Sequence, residues 1–141
     1  MSAFTWRSRV YWEDTDGGGI VYYANYLRFL ERARTEWLRS LGHSQQALAR
    51  DPGILFTVVS LNVEYLKPAR LDDELLITCD ARQEGGATMR FEQQILRTTG
   101  SSSARSAAAL LVEARARVAC VDAMSLKPKR LPAFLHHRGA V

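Results

Sequence analysis

At 141 residues the chain is long enough for one domain with one buried core, and 47% hydrophobic with 24% charged residues is an ordinary globular composition. The net charge of +4 is mild, and the 19 Lys and Arg are scattered rather than gathered into one stripe, which argues against a nucleic-acid partner. No apolar run approaches the ~20 residues of a membrane span, the N-terminus does not read as a signal peptide, and Cys79 and Cys120 stand far apart without metal-ligand spacing. A single cytoplasmic domain over residues 1–141 is therefore expected, with two buried thiols, no metal and no membrane insertion.

Residues 4–13 mix aromatic and β-branched residues with polar ones and read as a strand that the glycines at 17–19 end. Residues 20–41 read as one long helix of roughly 30 Å at ~1.5 Å per residue. Its apolar side chains recur at Tyr23, Tyr26, Leu27, Leu30, Ala33, Trp37, Leu38 and Leu41. Arg32 and Glu36 are spaced for a weak surface pair, and Gly42 is placed as the C-terminal stop. Ser44 reads as the N-cap of a short helix to Arg50, and Asp51-Pro52-Gly53 as a turn. Four strand-like runs follow, over 54–66, 74–83, 87–98 and 107–122. Glu84-Gly85-Gly86 makes a hairpin-like turn, and Gly100-Ser101-Ser102-Ser103 a flexible connection. In the third run Met89, Phe91, Gln93 and Ile95 share one parity; in the fourth Val112, Ala114, Ala116, Val118 and Cys120 do. The tail from about 126, with His136 and His137, is basic and shows no clear element. Consecutive strands after one long helix give an α+β fold, a curved antiparallel sheet packed on the helix. Its uncovered edges argue for a homo-oligomer.

The most informative segment is Glu13-Asp14-Thr15-Asp16-Gly17-Gly18-Gly19-Ile20-Val21-Tyr22-Tyr23, in which carboxylates and three glycines precede a helix. A helix N-terminus offers unpaired N–H groups and the positive end of a dipole, and glycines let a ligand approach the backbone closely. A plain surface turn competes with three chemical readings. A Ca²⁺ loop opening at Asp14 and Asp16 fails, because Gly18 and Asn25 stand where further oxygen ligands and the closing Glu belong. An aspartyl phosphatase of the haloacid dehalogenase type needs a doubly wound parallel sheet, which the run of strands excludes. Acyl transfer to water remains: a carboxylate attacks a thioester carbonyl or activates a water, and the first helical turn stabilises the developing oxyanion. Asp14, two residues before Asp16, reads as a loop-fixing residue that bonds backbone N–H groups.

Residues 9–41, with the run from Val10 to Asp16, then Gly18 to Tyr22, Tyr26 and Glu31 to Glu36, resemble the hotdog-fold thioesterases of the 4-hydroxybenzoyl-CoA thioesterase superfamily, nearest the Tol-Pal-associated acyl-CoA thioesterases. Val63 to Leu75 forms a second matching block, and Gly86 to Gln93 with Val118 to Asp122 a weaker third. The resemblance implies a hotdog fold with the helix of 20–41 wrapped by the sheet. It implies Asp16 as catalytic carboxylate and the N–H of Tyr23 as oxyanion donor, with Gly18, Gly19, Ile20, Val21 and Tyr22 lining the substrate. It implies an acyl-CoA substrate with no separate cofactor, and a homodimer joined sheet edge to sheet edge that pairs again into a homotetramer in many members. Trp12 and Tyr23 depart from the Tyr and His that Tol-Pal-associated members carry there. Glu84-Gly85-Gly86 departs from the basic turn that holds CoA phosphates in the 4-hydroxybenzoyl-CoA enzyme; Arg70, Arg90 and Lys127–Arg130 are the alternatives. Glu31 reads as structural. Two rivals stand beside the hydrolase: a dehydratase of the same fold, which wants a His that residues 13–23 lack, and a non-catalytic module binding acyl-CoA or a partner protein.

Overall fold

The computed structural model describes residues 4–98 and 109–136. Five strands form one antiparallel sheet: β1 (Phe4–Arg9), β2 (Ile54–Tyr65), β3 (Glu74–Gln83), β4 (Thr88–Arg97) and β5 (Ala109–Asp122). Their order is β1-β3-β4-β5-β2, so β1 and β2 are the edges. Two helices lie between β1 and β2, α1 (Tyr26–Ser40) and α2 (Gln45–Arg50). The expected turn at Gly100–Ser103, residues 107 and 108, and His137 lie outside the described residues.

The period-2 parity of β4 and β5 is realised: Met89, Phe91, Gln93 and Ile95 are buried, as are Val112, Ala116, Val118 and Cys120. Against this concave face α1 lays Tyr26, Phe29, Leu30, Ala33, Trp37 and Leu38, a stripe at helical spacing. Trp37 meets Phe91 edge-on at 5.4 Å. Leu27 and Leu41 are half-buried at the margin of the stripe. Gly42, at φ +91°, ends the helix. His43 N–H and Gly42 N–H return to the carbonyls of Leu38 and Arg39, which closes the last turn. Ser44 caps α2 as expected, its hydroxyl accepting from Ala47 N–H.

Four expectations are corrected. The strand expected over 4–13 stops at Arg9, because Trp12–Asp14 wind into a 3-10 turn. The helix expected over 20–41 begins at Tyr26 and runs about 22 Å at ~1.5 Å per residue. Ile20 and Val21 instead form β-bridges, and Tyr23–Asn25 make a single 3-10 turn. Glu36 pairs with Arg39 at 3.2 Å rather than with Arg32, which lies over the Phe29 ring. The tail expected to lack a clear element joins the fold in its described part: Pro128 bridges Val121, and Leu131 and Leu135 are buried.

Among the described residues the core carries a buried polar relay. Gln93 donates to the Leu30 carbonyl at 3.0 Å and accepts from the Arg34 guanidinium at 3.0 Å. Burial pushes the Arg34 group down from its usual range, so this acceptor matters. Cys79 and Cys120 are buried free thiols, and burial pushes the Cys79 thiol up to about 12. Gln93→Leu keeps the shape but strips Arg34 of its partner. We expect it to lose about 1–3 kcal/mol, read as a lower urea midpoint at unchanged slope.

Candidate active site

The segment between β1 and α1 is held by Asp14. Its carboxylate, 9% exposed, accepts from Tyr11 N–H at 2.8 Å, and its carbonyl accepts from Tyr22 N–H and from the Asn25 side-chain amide, both at 3.0 Å. Asp14 therefore fixes the loop, as its spacing suggested. Two residues on, Asp16 is exposed to solvent. Its Oδ1 accepts from Gly18 N–H at 2.7 Å, and its own N–H donates to Ile20 carbonyl at 3.0 Å. A Cβ at position 18 would sit 3.2 Å from that carboxylate oxygen, so glycine lets the carboxylate fold over its own turn.

Two bridges tie the turn to the rest of the molecule. Thr15 opposes Val21, and Ile20 opposes Arg70 from the segment before β3. Val21 N–H donates to Ala69 carbonyl at 2.9 Å and Leu71 N–H to Gly19 carbonyl at 3.1 Å. Val21 turns its side chain into the core, while Gly18 stays exposed and Gly19 and Ile20 are half-exposed.

Tyr22 caps the 3-10 turn and Tyr23 is its first residue, a position where a helix supplies no internal acceptor for the N–H. Tyr23 is 62% exposed rather than on the core stripe. Its ring lies 4.9 Å from Tyr22 and edge-on to Tyr65, and the Tyr65 hydroxyl donates to Tyr23 carbonyl at 3.2 Å. The Tyr22 phenol sits above its usual range through its hydrogen bond with Tyr23; burial raises those of Tyr26 and Tyr65. These three phenols stay protonated at neutral pH. Buried Tyr26 accepts from Ala69 N–H at 2.9 Å. Tyr65, Asn25 and Arg70 are neighbours that local spacing did not reveal, since two of them arrive from beyond α2. A separate cavity of about 200 Å³ lies between the C-terminal half of α1 and the sheet, walled by Glu31, Arg34, Trp37, Phe56, Met89 and Phe91. None of residues 16–23 lines it.

The chemistry available is thus an exposed, ordered carboxylate beside a helix entry. A family model described as Thioesterase superfamily matches residues 18–104 of the 141, more than half of the chain. The chain belongs to the thioesterase superfamily. It is a hydrolase acting on thioester bonds. This thioesterase is 41% identical over 140 residues to the acyl-CoA thioesterase YbgC of Haemophilus influenzae, covering 96% of each chain. A probable thioesterase from Bartonella henselae superposes with a TM-score of 0.82 at 34% identity, over 93% of this chain and 100% of that one. The 4-hydroxybenzoyl CoA thioesterase of a Pseudomonas species superposes with a TM-score of 0.83 at 24% identity, over 96% and 97%. That likeness identifies the hotdog fold. No helix among the described residues is long and apolar enough to cross a membrane.

Asp14 and Asp16 differ in how far each carboxylate is tied into the backbone. Asp14→Ala unpairs Tyr11 N–H and is expected to cost about 0.5–2 kcal/mol, the range of a lost cap, lowering the melting temperature along with activity. Asp16→Asn is expected to leave the melting temperature within error; calorimetry on both variants checks the contrast.

Proposed function

We propose that this thioesterase hydrolyses acyl-CoA to a free carboxylic acid and CoA, with Asp16 as nucleophile or general base. The observation that carries the reading is the exposed Asp16 carboxylate, ordered by Gly18 N–H on a turn anchored to the segment that leads into the Tyr23 turn. The thioester carbonyl receives either the carboxylate oxygen or a water that Asp16 deprotonates. The carbonyl π pair moves to oxygen, where the N–H of Tyr23 and the helix dipole meet it. The pair returns, the C–S bond breaks, and the CoA thiolate takes a proton. In the covalent route water then cleaves the acyl–Asp16 anhydride. The scheme calls for no cofactor beyond the CoA of the substrate. Trp12, 74% exposed, cannot replace a phenol as acceptor because indole only donates, so the reading places the acid–base work on Asp16. The YbgC relative's name supports an acyl-CoA substrate.

The same reading makes the working unit a dimer. β2 is a twelve-residue edge strand on which Leu55, Val58, Val59 and Leu61 are exposed, an apolar edge of the kind that proteins cover. A second β2 running antiparallel covers it by two-fold symmetry. That pairing sets the Ile54 end of one strand toward the Tyr65 end of the other. The cavity walled by Phe56 then lies toward the partner's Asp16 turn, placed to receive the acyl group.

Asp16→Asn is expected to lower kcat at least ~100-fold in a thiol-release assay over short, long and aromatic acyl-CoAs. Near-normal turnover would remove Asp16 from the mechanism, and binding without release in the unmodified enzyme would favour the non-catalytic module. Val59→Lys, at a site 53% exposed and at the register shift of β2, is expected to yield monomers by sedimentation with activity lost in parallel.

A further inference from the structure

We propose that Arg70 is a binding residue for the pantetheine arm of the substrate, gripping an amide carbonyl of that arm; the proposal rests on the assignment of the reacting carbonyl to Asp16. Backbone register puts Arg70 beside Asp16. The bonds from Asp16 N–H to Ile20 carbonyl and from Tyr22 N–H to Asp14 carbonyl set Asp16 opposite Ile20. The bonds from Val21 N–H to Ala69 carbonyl and from Leu71 N–H to Gly19 carbonyl set Ile20 opposite Arg70. Directly opposed residues in an antiparallel ladder point to the same face. Asp16, Ile20 and Arg70 therefore form one row on one face, and Val21 and Ala69, one step along, point into the core. Exposure agrees: Asp16 and Arg70 are exposed and Ile20 is half-exposed, whereas Val21 and Ala69 are buried.

The spacing selects the ligand group. Opposed Cα atoms lie ~4.5–5.5 Å apart, so the row places Arg70 roughly 10 Å from Asp16. An extended chain advances about 1.2 Å per bond, from ~3.6 Å per three-bond residue. Counting from the thioester sulfur, the two pantetheine amide carbonyls then fall at about 5 and 10 Å and the first phosphate at about 16 Å. The arm, rather than the nucleotide, spans the distance from Asp16 to Arg70. Ile20 between them offers an apolar surface for the arm's methylenes.

Arg70 is also held ready. Its N–H donates to the Asp73 carboxylate at 2.8 Å, and its carbonyl accepts from Asp73 N–H at 3.0 Å. The neighbouring arginines are engaged: Arg9 with Asp72 carbonyl and Glu74, Arg97 with Asp73 and Pro68 carbonyl. Of the other cations the sequence offered, Arg90 is paired with Glu84 and Lys129 with Asp122, while Lys127 and Arg130 have no side-chain partner among the described residues. Among the described residues the Arg70 guanidinium has no hydrogen bond or ion pair. A guanidinium facing a carbonyl makes a charge-assisted hydrogen bond.

The test compares three thioesters of one acyl group: the CoA ester, the pantetheine ester without nucleotide or phosphate, and an ethanethiol ester without amides. Arg70→Ala is expected to raise KM about tenfold for the first two alike, with kcat within about twofold, and to leave the ethanethiol ester unchanged. A rise confined to the CoA ester would transfer Arg70 to the phosphates and overturn the proposal. An equal loss on all three esters would reassign it to Asp16 or the fold, and no change on any would remove it from the site. Calorimetric titration with pantetheine itself reads the same contact without turnover; about tenfold weaker binding to Arg70→Ala is expected, and equal binding refutes it. Asp16→Asn, assayed beside it, reports separately on the hydrolytic reading.

Discussion

The constraint on which the rest depends is the burial of the apolar stripe of α1 against the concave face of the sheet. Phe29, Leu30 and Ala33 have no accessible surface left, and the strand residues they meet, Ile77, Ile95 and Val112, are equally closed. That contact leaves the entry to α1 little freedom. Val21 and Tyr26 are both in the core, so the backbone between them must turn within four residues. The Tyr23 turn and its exposed N-terminus follow from that confinement. A helix free to start where its sequence allows would have run on from the glycines.

The glycine turn before it is a separate device with a division of labour. Asp14 spends its carboxylate and its carbonyl on backbone and amide partners, and so is scaffold. Asp16 bonds one N–H of its own turn and keeps the rest of its carboxylate toward solvent. The two acids differ in surroundings because Asp14 closes the 3-10 turn whose backbone its carboxylate bonds, whereas Asp16 lies beyond that turn, opposite Ile20. Alternation along the segment before β3 places Arg70 with Asp16 and Ala69 with the core.

Parts of this were legible in advance. The strands β2 to β5 were readable because alternation on a half-buried sheet is a local signal, and Gln93 was placed inward by parity alone. The Ser44 cap and the Gly42 stop were readable because each completes its bonds within a few residues. The start of α1 was not: Ile20 and Val21 fit a helical pattern, but their N–H and carbonyl groups find partners near Ala69 and Arg70, some fifty residues on, and long-range pairing overrides local propensity. The tail misled for the same reason. Leu131 and Leu135 stand among prolines and cations, and only the presence of Met89, Phe91 and Val118 beneath them makes burial worthwhile.

The sequence by itself determined the class of molecule and the loop-fixing place of Asp14, because residue type and near-neighbour spacing encode those. Only the tertiary structure decided where α1 begins, that Tyr23 lies outside the core, and which cation stands in the row of Asp16. Each of these turns on backbone hydrogen bonds between segments far apart in the chain, and such bonds leave no periodic trace in the residues that make them.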